Sequence, residues 1–249
     1  MDIPADLLPS AVGVLLLAAI TTAVLAAFRI PGLADPAIAI GRGAVQLAVI
    51  SVILGGVITH TAWIAVALIV MFSVACTVAS RRIGASWRTL GMMAVAMASG
   101  ILVTLTVVFA TGALELNGRY LLAIGAIIIG NSMSVATLTG RVFTRAVSDH
   151  WDEVEGWLAI GAMPRRATRD LARHAVRDAL IPSVDQTKTT GLVVLPGAFV
   201  GAIFGGISPL EAGRFQIVVL AGIMAAGAIT ACLIIAWMGP VRTKPVPSR

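Results

Sequence analysis

Seven long apolar runs separated by polar connections constrain this chain more than any other feature. They are Leu7–Phe28, Ile38–Ile58, Thr61–Ala79, Leu90–Thr111, Tyr120–Gly140, Gly191–Ile207 and Phe215–Met238. A helix needs roughly 20 apolar residues, range about 17–25, to cross the hydrocarbon of a bilayer. Backbone N–H and C=O groups in lipid must be paired within the segment. The runs are too long and too evenly apolar for the alternating strands of a barrel. With 58% hydrophobic and 12% charged residues, the chain has too little polar surface to cover itself in water. The expected fold is an all-α integral membrane protein of about seven transmembrane helices, with a cytoplasmic helical hairpin between spans five and six. Residues 1–249 are expected to form one membrane domain. Gly191–Ile207 is the shortest run and contains Pro196.

Basic residues set the expected orientation. With seven spans, sixteen of the eighteen Lys and Arg residues fall on one side, and only Arg119 and Arg214 fall on the other. The positive-inside rule makes the first side cytoplasmic, the N-terminus external and the C-terminus internal. The net charge of +6 then serves orientation and contact with anionic lipid, and no nucleic-acid partner is needed. The start, Met1-Asp2-Ile3-Pro4, lacks the basic segment of a secretory signal, so the first run reads as a retained span. Cys76 and Cys232 both lie in apolar runs and read as small core residues, not a disulfide framework.

One connection is long. Residues 141–190 carry seven carboxylates beside their basic residues and read as two cytoplasmic helices. The first spans about Asp152–Met163, and Pro164 suits the start of the second. The second places Leu171, Ala175, Val176, Ala179 and Leu180 along one stripe and ends near Leu180, with Pro182 beyond it. Glu155-x-Trp157-Leu158-Ala159-Ile160-Gly161-Ala162 before the turn is similar to the Glu…Ala…Gly core of ABC-permease coupling loops. Glu155, Trp157, Ile160, Gly161 and Pro164 are therefore candidate contacts to an ATPase. The bland reading is an amphipathic hairpin packed on its own bundle.

Three clusters are candidates for a substrate path. Span five is interrupted by Gly130-Asn131-Ser132-Met133-Ser134, followed by Thr137 and Thr139. Ser, Thr and Asn at such depth either join helices or line a polar wall. Met133 adds a thioether, which favours soft metal ions. Arg42 and Gln46 lie one turn apart near the start of span two, where an intramembrane charge marks function unless it snorkels to the interface. Asp185 and Lys188 sit three apart in the polar stretch before span six and can pair on one helix face. Beyond them Gly197, Gly201 and Gly205 form a small-residue repeat suited to helix packing. Asp149-His150-Trp151-Asp152-Glu153 reads as a solvated segment, with metal binding as the alternative.

No Gly-rich phosphate loop precedes a Lys, and neither H-E-x-x-H nor G-x-S-x-G occurs. An enzyme is therefore disfavoured. An ion-coupled secondary transporter would be expected to carry buried carboxylates, and none of the twelve Asp and Glu lies within the seven runs.

Ala179-Leu180-Ile181-Pro182, Asp185-x-Thr187-Lys188-Thr189-x-Gly191-Leu192-Val193, Leu195-Pro196-Gly197 and Ser208-Pro209-Leu210-Glu211-Ala212 with Gln216 resemble the FetB-like ABC permeases. Arg42-x-x-x-Gln46-Leu47 and Gly130-Asn131-Ser132-Met133 are similar as well, so the likeness covers about residues 40–235. That family includes a bacterial iron-export permease and plant aluminium-tolerance membrane subunits, one branch being linked to a nucleotide sugar. The resemblance implies the permease subunit of an ATP-driven exporter in a bacterial inner membrane. Two copies would pair with two separately encoded ATPase subunits that bind ATP and Mg. No cofactor is expected in this chain, and no metal ligand is assigned. Where the family tends to carry Met-Met and then Gln, Ala198-Phe199 and Ala202 stand here, which bears against iron if those side chains touch metal in the family.

Overall fold

The computed structural model describes residues 7–57 and 61–245, and every regular element among them is helical. The chain divides into two compact units, Met1–His60 and Thr61–Arg249. Among the described residues, five helices are long and apolar enough to cross a membrane: Pro9–Ala27, Ala62–Ile83, Trp87–Ala110, Gly118–Asp149 and Pro209–Met238.

The first unit is a helical hairpin of α1 (Leu7–Ala27) and α2 (Asp35–Val57). Its described side chains are almost all exposed, Leu15, Leu17 and Leu47 among them, as suits helices whose solvent is lipid. Because α2 begins at Asp35 and not at Ile38, Arg42 lies two turns inside the helix.

The second unit is a bundle of α3 (Thr61–Ile83), α4 (Trp87–Ala110), α5 (Gly118–Asp149) and, later in the chain, α8 (Arg169–Thr189) and α10 (Pro209–Met238). The short helices α6 (Trp151–Ala159), α7 (Pro164–Ala167) and α9 (Gly197–Phe204) connect them. Local chemistry fixes several starts. Ser86, Asn117 and Ser208 each accept a backbone N–H three residues on, from Thr89, Tyr120 and Glu211. Each satisfies one of the donors that a helix N-terminus leaves free.

Glycines and small residues set the helix registers. Gly100 of α4 meets Ala226 and Thr230 of α10, and Thr230 Oγ1 donates to Ala96 O at 3.4 Å, so α4 and α10 are antiparallel. Gly118, Gly125 and Gly140 of α5 lie beside Ile64, Leu68 and Ile83 of α3, which makes those two parallel. Gly222 of α10 meets Ile128 of α5, and Tyr120 stacks on Phe215 with centroids 5.6 Å apart. The core between these helices is largely apolar: Met93, Met97, Ile124, Ile128, Ala226 and Ile234 are fully enclosed.

Two expectations are corrected here. Gly191–Ile207 is not a continuous span. A turn at residues 190–196, with Gly191 at φ +85°, precedes the eight-residue α9. Eight residues rise only about 12 Å, well short of a hydrocarbon core about 30 Å thick. Pro196 lacks a backbone N–H and stands at the N-cap of α9, where a donor is not needed. Residues 141–190 follow the alternative reading, a hairpin packed on its own bundle, but its second helix does not end near Leu180. The first nine residues extend α5, and α8 turns back along α5 and α10. Leu180 and Val135 both contact Gly227, Ala172 and Ala175 pack with Phe143, and Thr168 Oγ1 donates to Gly239 O at 2.7 Å. These contacts run α8 antiparallel to both helices. Pro182 lies inside α8, which continues to Thr189. Packing of Ala179 and Ser183 inside the bundle offsets the hydrogen bond that the proline removes.

Candidate functional site

The polar stretch of α5 satisfies much of its own hydrogen bonding. Asn131 Nδ2 donates to Ile127 O at 2.9 Å, Ser134 to Gly130 O at 3.2 Å, Thr137 to Met133 O and Thr139 to Val135 O, both at 2.8 Å. Such back-bonding lets a hydroxyl lie at lipid depth at low cost. Ser132 differs. It is buried, and its Oγ has no hydrogen-bond partner among the described residues, as is also true of Thr104 Oγ1 and Gln216 Oε1. Met133 is half-buried against the apolar core, among carbon neighbours. Ser134 and Gly130 are exposed one turn apart and form an open polar edge of α5.

Helix α8 brings a second polar surface to that depth. Its inner stripe of Ala172, Ala175, Ala179 and Ser183 is buried. Its outer face carries Asp178, Asp185, Gln186 and Lys188, all exposed. Val135 lies opposite Leu180, so the antiparallel register carries Asp185, five residues on, to the level of Gly130 and Asn131. Lys188 reaches a level still farther along α5. Asp185 and Lys188 face each other at 3.7 Å, both more than half exposed. The sequence expectation put this pair at the membrane surface, and it placed Lys188 with the basic residues of one side. The register instead puts both beside the middle of α5. A charged face at that depth cannot be left to lipid without a large penalty, so it must meet water or another protein surface.

Between the two units of polarity stands the turn after α6. Val154 is buried against Phe143 and Val147 and holds α6 to the end of α5. Glu155 and Trp157 point outward, and Ile160 and Met163 are 75% and 77% exposed. Gly161 adopts φ +85°, a conformation that a side chain would strain. Pro164 then opens α7 at its first position, as its fixed φ favours. The result is an apolar knob followed at once by Thr168, which is fully buried and tied to both Pro164 O and Gly239 O.

The remaining candidates are placed as follows. Arg42 and Gln46 lie on an exposed face of α2 in the first unit. Gly197 and Gly201 have no heavy atom within 4 Å of an added Cβ, so the glycine repeat faces no helix among the described residues. His150 Nδ1 lies 3.0 Å from Ala146 O in an exposed turn. No group of three or more His, Cys, Asp or Glu able to hold a metal ion occurs among the described residues. Sequence reasoning missed Ser183, Thr168 and the depth of α8, because Pro182 and the low hydropathy of the segment both signalled an ending.

The sequence profile described as "Uncharacterised protein family (UPF0014)" matches residues 9–240. Among relatives, the rice UPF0014 membrane protein STAR2 is 36% identical over 197 residues, 78% of this chain and 69% of that protein. The Bacillus subtilis UPF0014 membrane protein YjkA is 31% identical over 209 residues, 81% of each chain. An Escherichia coli protein named "Probable iron export permease protein FetB" is 37% identical over 125 residues, 50% of this chain and 48% of that one. No solved structure matches. With nearly its whole length matched, and with the apolar helices that such a name requires, the chain belongs to the UPF0014 family of membrane proteins.

Proposed function

We propose that the chain is the membrane-spanning permease subunit of an ATP-driven ABC exporter, working as two copies with a separately encoded ATPase. The observation that carries this reading is the apolar knob of Trp157, Ile160 and Met163 at the end of the bundle, left exposed by the described residues of the second unit. An exposed apolar anchor beside a glycine turn suits a groove on a partner protein. The chain also joins that knob directly to α8. A push on the turn would pass through α7 and the Thr168–Gly239 bond into the helix that carries Asp185 and Lys188 to mid-bundle. The polar edges of α5 and α8, with Asn131, Ser134 and Gln186, then line the path. A second copy closes it. ATP and Mg belong to the partner.

Iron export is the first substrate reading, supported by the name of the FetB relative. A nucleotide sugar is the competing cargo. Gly161→Glu tests the docking site. The variant is expected to insert and stay monodisperse while co-purification of the ATPase and transport in vesicles are both lost. Normal recruitment and normal transport by that variant would sink this docking site. A second reading, ion-coupled transport without ATP, draws on the mid-bundle Asp185. It predicts transport by the purified chain driven by an ion gradient alone, whereas the ABC reading predicts none until the ATPase and ATP are supplied.

A further inference from the structure

We propose that the groove between the start of α8 and the end of α10 binds the phosphate headgroup of an anionic phospholipid. The proposal stands apart from the transport reading. The groove encloses about 400 Å³, a size suited to a small ligand. Arg165, Arg169 and Arg173 line it at intervals of four residues, and Val176, Cys232 and Ile235 supply apolar wall. Arg165 Nη2 donates to Ala236 O at 3.1 Å, which ties the basic side of the groove to α10. Arg173 shares Asp170 at 3.4 Å. Among the described residues only Arg173 of the three has a carboxylate within 4 Å, so the rim of the groove keeps a surplus of positive charge that favours an anion. Arginine is suited to phosphate because its planar fork can donate two parallel hydrogen bonds.

Depth and continuity favour lipid over a protein surface. Thr168 at the head of α8 is bonded to Gly239, just past the end of α10, so the groove lies at the same end of the bundle as Arg81, Arg82, Arg88 and Arg141. Trp237 is exposed at that level, as interfacial tryptophans are. Arg165 also borders a neighbouring groove that holds Arg88 and Trp237. From the basic rim, Ala236, Cys232, Ala225 and Ala221 continue down one exposed apolar stripe of α10. A headgroup held by the arginines would therefore lay an acyl chain along small side chains, as in basic pockets that select acidic lipids.

The protein carries its own probe. Cys232 is exposed in the groove, whereas Cys76 is buried. The full chain, purified in an uncharged detergent, is labelled with an uncharged maleimide while lipid is titrated. Phosphatidylglycerol is expected to slow Cys232 labelling saturably, and phosphatidylcholine and inorganic phosphate are not. Arg169→Gln combined with Arg173→Gln should raise the midpoint for phosphatidylglycerol roughly thirtyfold, about fivefold for each arginine removed. Arg242→Gln with Lys244→Gln should leave the midpoint unchanged. The two single variants repeat the test if the double variant fails size-exclusion. Equal protection by phosphatidylcholine, protection by inorganic phosphate alone, or an unchanged midpoint in the arginine variants would each overturn the proposal. So would protection that appears only when an ATPase partner is supplied, since the arginines would then belong to a protein interface.

Discussion

At Gly100 the backbones of α4 and α10 come so close that a Cβ would lie 2.5 Å from Ala226 O and 2.8 Å from Thr230 Oγ1. The first of these atoms is backbone and cannot swing aside. Gly100→Ala must therefore push the helices apart, at a cost of about 1–3 kcal/mol of packing. Gly91, also in α4, has no heavy atom within 4 Å of the same added carbon. There alanine should be neutral or stabilising by up to about 1 kcal/mol, since glycine weakens a helix interior. Thermal unfolding of the two variants in the same detergent checks the pair. An equal Tm for both would contradict the close approach of α4 and α10. The polar residues of α5 act at this scale too, because their back-bonds to the preceding turn let Thr137 and Thr139 be buried without a hydrogen-bond partner on another helix.

At the scale of elements, α8 decides what kind of molecule this is. A cytoplasmic hairpin free in water would tolerate change on either face. A helix packed along α5 and α10 would not. Ala179 is 1% exposed and packs with Val135 and Ala231, while Ile181 two residues on is open. Ala179→Leu is expected to destabilise by about 1–3 kcal/mol through overpacking, and Ile181→Ala by less than about 0.5 kcal/mol. Denaturant titration in mixed micelles measures both. Equal, near-zero effects would return α8 to a solvated loop. The exposed intrahelical pair of Asp185 and Lys188 adds little to stability in water. Its place beside Gly130 is therefore better explained by what it meets than by what it holds together.

For the whole molecule, helix directions within the second unit bring Arg81, Arg82, Arg88, Arg141, Arg145 and Arg242 to one end, and Arg119 and Arg214 to the other. We infer that the basic end is cytoplasmic. After Cys232→Ser, cysteines at Met163 and at Leu116, both largely exposed, should react with an impermeant reagent from opposite faces of intact cells or inverted vesicles. Labelling of Met163→Cys and Leu116→Cys from the same face would refute the inferred orientation.

Hydropathy alone determined that the chain is helical and lives in lipid, because a run of about 20 apolar residues has no other way to pair its backbone in a bilayer. The turn at Gly161–Pro164 was equally legible, being local chemistry within a few residues. The path of α8 was not. Its charges and Pro182 mark a surface segment by every local rule, and only the buried stripe from Ala172 to Ser183 against α5 and α10 overrides them. The break at residues 190–196 was half legible: the run is short and contains Pro196, but Leu192, Val193 and Leu195 continue it straight through the turn. Periodicity reports which residues avoid water, and tertiary packing decides at what depth a polar helix can be kept.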